Sequence, residues 1–150
     1  MIAIGVASML MSGVLEDVNQ LLGRDSYSLF NADDIRVAIR VRDETPKDAV
    51  FVTGTQNNDP VPVLSGRRVV MGYWGWLFAE GLPWQEREAD LRAIYAFTGD
   101  AERLLAKYGV DFVVVGPPEL ERMDANVEAF RNAYPAVITT ATYEVFAIDP

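Results

Sequence analysis

The chain has 150 residues, about one domain's worth, and its 50 % hydrophobic content supplies a core and excludes a disordered protein. The net charge of −9 argues against nucleic acid, or an anionic membrane surface, as the main partner. Histidine and cysteine are both absent, so a Ser-His-Asp triad, an HExxH zinc site, a thiolate metal site and a cysteine nucleophile are excluded within this chain.

The N-terminal stretch MIAIGVASMLMSGVL is apolar for 15 residues before Glu16. A bilayer core needs roughly 20. No Lys or Arg precedes the run, which disfavours a signal peptide. Val6, Met9, Leu10, Gly13, Val14, Val18 and Leu21 fall at spacings of three and four, so residues 2–22 read as a helix. Two readings stay open for it: a packing helix, or the end of a transmembrane helix. The division expected is an apolar helix over 1–24 and a soluble α/β domain over 33–150.

Residues 34–44 alternate like a strand at Ile35, Val37, Ile39 and Val41, yet Ile35, Ala38 and Ile39 also fit one helix face. Acidic Asp33 and Asp34 in front and Thr45–Pro46 behind favour helix. Ala49–Thr53 reads as a buried strand, Arg67–Met71 as a second and Asp111–Val115 as a third, each followed closely by a glycine: Gly54, Gly72 and Gly116. Val63–Leu64 reads as a short apolar return, and Tyr73–Trp84 as irregular. Helices are predicted over Gln85–Phe97, from Asp100 to Lys107, and from Pro117 to Tyr134. In the last of these Leu120, Met123, Val127 and Phe130 form one unbroken apolar seam. Ala136–Thr140 and Tyr143–Ile148 form a closing hairpin. The fold class expected is α/β: three layers, a mainly parallel central sheet with an antiparallel C-terminal hairpin, and an apolar helix in front.

If the three glycine-ended strands are parallel, their exits share the edge where open α/β sheets bind ligands. Those exits carry TQNNDP, YWGW and PPE. Thr53, Thr55, Gln56, Asn57, Asn58 and Asp59 offer donors and acceptors that suit a polar or carbohydrate-like ligand. They equally suit a turn whose side chains cap their own backbone. Tyr73, Trp74 and Trp76 can fill a core or interface, stack on a sugar ring, or meet a membrane surface. Arg67 and Arg68 sit at the start of the second strand, where a solvated or salt-bridged role is expected. There is no phosphate-binding glycine motif, no recognisable metal cluster and no cofactor fingerprint.

The blocks ETPKDAVFVTGTQNNDPVPVLSGRRVVMGYWGWLFAEG, EREADLRAIY and LLAKYGVDFVVVG together resemble the C-terminal soluble region of large bacterial membrane proteins. These resemble GT-C glycosyltransferases of the dolichyl-phosphate-mannose protein mannosyltransferase type. The resemblance covers residues 33–148. Many relatives carry a histidine where this chain reads Thr55–Asp59, so no histidine-dependent role passes over. The resemblance implies a non-catalytic domain on the extracytoplasmic face that helps bind or orient a glycan, an acceptor or a lipid-linked sugar. Its catalytic acid would lie among membrane helices outside these residues. It also implies that residues 1–22 meet the membrane or membrane-protein helices. A different class of function, a structural subunit docking through that apolar helix, stays open beside it.

Overall fold

The computed structural model describes residues 28–148. The helix expected over 2–22 lies outside them. The first described helix, α1 (Ala32–Glu44), resolves the ambiguity of its sequence. Its buried positions are Val37, Ala38 and Val41, at helical spacing, while Ile35 and Ile39 are exposed. The inward face is therefore rotated from the one that the isoleucines mark. Asn31, not an aspartate, is the cap: its side chain accepts from the N–H groups of Asp33 and Asp34, and the Asp34 carboxylate accepts from the Asn31 N–H.

Asp33 is released for another task. Its carboxylate accepts from the hydroxyls of Thr140 and Thr142 and from the Thr142 N–H, tying α1 to a turn more than 100 residues away. Burial works to raise its pKa, but the hydrogen bonds from Thr142, Thr140 and Ala141 outweigh it and hold the carboxyl well below the usual range.

A five-stranded sheet follows in the order β2-β1-β3-β5-β4. Its strands are β1 (Val50–Val52), β2 (Arg68–Val69), β3 (Phe112–Val115), β4 (Ala136–Thr139) and β5 (Glu144–Ala147). β1 is parallel to β2 and to β3; β5 is antiparallel to both β3 and β4. The sheet is thus mixed rather than mainly parallel. The expected C-terminal hairpin is present. β2 keeps only two residues of the strand expected over Arg67–Met71.

Alternate strand residues feed two apolar clusters, one on each face. Phe51, Val114 and Val145 pack with Val37 and Val41 of α1. Val52, Val113, Val115 and Phe146 pack with Leu91, Ile94 and Tyr95 of α3 (Gln85–Tyr95) and Leu104 and Leu105 of α4 (Ala101–Tyr108). Each fully buried Phe or Leu side chain contributes roughly 1.5–3 kcal/mol.

Three connections differ from the sequence reading. Val61–Ser65 is a turn of π-helix seated on α1, not an extended return. Trp74–Ala79 forms a short helix, α2, inside the stretch read as irregular. The helix expected from Pro117 to Tyr134 is two helices, α5 (Pro117–Arg122) and α6 (Val127–Ala133). Between them Asp124 adopts φ of +52°, which ends α5, and the Asn126 side chain starts α6 by accepting from the Ala129 N–H. The apolar seam is therefore broken, and Leu120 is exposed.

Arg67 is neither solvated nor salt-bridged. It is buried, and its guanidinium donates to the carbonyls of Arg42 and Thr45 at the end of α1.

Candidate functional site

The chain leaves β1 through the π-helical turn on one face of the sheet. It leaves β3 through α5 and α6 toward the other. β1 and β3 are neighbours, so their carboxyl ends flank a crevice where the connections part, the usual ligand position in such sheets. In this protein the crevice holds a side chain of its own. Glu119 is 1 % exposed. One carboxylate oxygen accepts from the Gly54 N–H just past β1, and the other from the Gly116 N–H just past β3, both at 2.8 Å. A single carboxylate clasps the two strand exits together.

Asp59 is buried beside this clasp at 3 % exposure. Its Oδ1 accepts from the Val61 N–H at 2.9 Å and so starts the π-helical turn. The Thr53 hydroxyl lies against it and 3.2 Å from the Gly54 carbonyl oxygen. Burial, and then the Glu119 charge, push the Asp59 carboxyl well above its ordinary range. Burial also raises Glu119, against the pull of the Gly54, Gly116 and its own N–H groups. Glu119 meets backbone N–H donors from Gly54 and Gly116 that favour its charged form, and Asp59 meets one from Val61.

This arrangement gives stability a pH dependence of definite sign. The folded state holds protons that the unfolded chain releases near pH 4. It therefore binds more protons between about pH 4 and the raised pKa values, and stability falls as pH rises through that window. Asp33 acts in the opposite direction: its contribution is present above the ordinary carboxyl pKa and is lost as pH falls below it. Stability is expected to peak in mild acid. Urea midpoints should be lower at about pH 8 than at about pH 5, and Asp59→Asn should narrow the difference. Equal wild-type midpoints would contradict the upward shift of the buried carboxyls.

The sequence-predicted site residues separate into two groups around the clasp. Thr53 and Asp59 are buried, with partners within the fold. Thr55, Gln56 and Asn58 are half-buried and Asn57 is exposed. Gln56 and Asn58 line a shallow cleft of about 170 Å³ together with Asn31, Asp34 and Tyr143, and Pro60, Pro117 and Pro118 complete its walls. The Tyr143 hydroxyl donates to Asp34 at 2.7 Å across this cleft. Past β2, Tyr73 is half-buried while Trp74 and Trp76 are exposed. The Tyr73 ring centroid lies 5.5 Å from that of Trp74 and 5.7 Å from that of Trp76.

Glu119, Asn31, Asp34 and Tyr143 are the site residues that sequence reasoning missed. A signal for Glu119 was present. In Gly-Pro-Pro-Glu the acid stands at the third helical position after a strand exit, the spacing at which it reaches back to the capping N–H. Nothing local marks Tyr143, which reaches Asp34 across 109 residues. Among the described residues no three His, Cys, Asp or Glu side chains gather as a metal site, and no helix is long and apolar enough to cross a membrane. The chain matches no protein-family model and no curated protein.

Proposed function

We propose that this is a non-catalytic accessory domain of a GT-C-like membrane glycosyltransferase, placed on the extracytoplasmic face, where it holds a polar, carbohydrate-like ligand. The observation that carries the reading is the cleft at the carboxyl edge, whose rim is made of amides, a carboxylate and a phenol. Such groups supply the paired donors and acceptors that sugar hydroxyls need. The two buried carboxyl groups support a holding role over a chemical one. Glu119 and Asp59 accept from backbone N–H groups and bind the fold together. With the crevice filled by Glu119, a ligand would rest above it, in the outer cleft.

Calorimetric titration of the full chain with mannose oligosaccharides tests this. Gln56 lines the cleft and Asn57 is exposed, so the double variant Gln56→Ala/Asn57→Ala should fold normally. It should bind about tenfold more weakly, the loss expected from one or two hydrogen bonds. Absence of any heat with the wild-type chain would sink the reading. Exposed Trp76 and Phe78 favour a second reading, a structural subunit docking onto a membrane complex through this segment and the apolar N-terminal sequence. That reading expects no oligosaccharide heat and a chain that migrates only within a larger assembly.

A further inference from the structure

We infer that the segment after β2 is the face by which this domain rests on a zwitterionic lipid surface, with Trp74, Trp76, Phe78 and Leu82 at the headgroup boundary. The inference rests on the membrane-associated reading above and deepens it, because it assigns which end of the domain points at the bilayer.

The first observation is the chemistry of the segment. Helix α2 reads WGWLFA and buries none of its residues. Trp76 is 60 % exposed and Phe78 is 68 % exposed, and Leu82 stands out with them. From Tyr73 to Trp84 the only charged residue is Glu80. Trp and Tyr favour the interfacial zone of a bilayer, where an apolar ring body and a polar edge are both satisfied. The cluster is also preformed. Tyr73 contacts both neighbouring indoles, and the Trp74 ring centroid lies 5.4 Å from that of Trp84. Little side-chain freedom is left to lose on docking.

The second observation is the direction of the chain. The Asn58 side chain donates to the Leu29 carbonyl at 3.4 Å, so the described chain enters at the carboxyl edge of β1. Upstream in sequence lie the 15 residues without a charge, Met1–Leu15. β2 runs parallel to β1 and delivers the aromatic segment to that same edge. The entry of the described chain and an exposed aromatic cluster thus share one end of the sheet, and so does the polar cleft. A sugar joined to a lipid would meet the cleft from the bilayer side. The net charge of −9 selects a zwitterionic surface over an anionic one.

Trp74, Trp76 and Trp84 are the only tryptophans, so fluorescence excited selectively at tryptophan reports on this cluster alone. The full chain is mixed with phosphatidylcholine vesicles, with and without bromine near the headgroup end of the acyl chains. Brominated lipid should remove about half or more of the emission of vesicle-bound chain, as interfacial indoles require. Trp76→Ser/Phe78→Ser should lose most of that quenching and bind vesicles more weakly, while the far-ultraviolet spectrum stays unchanged. Vesicle-bound chain whose emission ignores bromine overturns the inference. So does a chain that stays in the supernatant, or emission that responds to oligosaccharide and not to lipid. The calorimetric test of the cleft reads none of these signals, so the two proposals can fail separately.

Discussion

Replacing Glu119 with alanine should lower the unfolding free energy by about 3–5 kcal/mol, a large share of what a domain of this size has. The carboxylate gives one acceptor oxygen to the Gly54 N–H and one to the Gly116 N–H, both in buried backbone. Truncation orphans both donors, at about 1–3 kcal/mol each, and leaves a void where the side chain lay. One term runs the other way. The negative charge that raises Asp59 disappears, so the Asp59 carboxyl moves back toward its ordinary range. That relief does not replace two acceptors, and the loss wins. Glu119→Gln separates the terms: the amide oxygen can serve one N–H, but the amide nitrogen then faces the other, donor against donor. The glutamine variant should be intermediate. Urea midpoints for the three proteins at one pH decide the matter, and an alanine variant within about 1 kcal/mol of wild type would show that the clasp contributes little.

Local chemistry made much of this fold legible. Short apolar runs marked β1 and β3, and the Gly116–Pro117–Pro118 junction marked the start of α5. The C-terminal hairpin followed from its alternation, and the acids after Asn31 marked the start of α1. What the sequence hid was set by distant partners. Asp33 read as a cap because acids precede helices; its role at Thr140 and Thr142 depends on how the hairpin folds back. Arg67 read as surface because arginines are rarely buried, yet it meets carbonyls freed by the end of α1. The site divides in the same way. The polar loop and the aromatics were visible as composition. Which loop residues face inward, Thr53 and Asp59, depends on how the fold closes over this loop, where the Gly54 N–H meets Glu119 across 65 residues of chain. The break between α5 and α6 turns on one residue, Asp124, whose left-handed backbone no periodicity signals.

Gly116→Ala should be nearly as costly as the loss of Glu119, and for a different reason. Its backbone, with φ of −143°, is extended and open to any residue, so the demand is for space and not for conformational freedom. A Cβ placed there would lie 2.1 Å from Cε1 and 2.2 Å from Cδ1 of Tyr143. That ring cannot step aside cheaply. It is buried, its hydroxyl donates to Asp34, and its N–H donates to the Thr140 hydroxyl beside the Asp33 contact. The alternative is for Gly116 itself to move, which lengthens the hydrogen bond from its N–H to Glu119. Either response pulls on a buried polar contact in addition to the usual overpacking cost of about 1–3 kcal/mol. If the ring is the obstacle, Tyr143→Ala should be destabilising alone, and adding it to Gly116→Ala should cost less than the sum of the two single changes. Additive losses in a double-mutant cycle of urea midpoints would mean that Gly116 is required for something other than room for Tyr143.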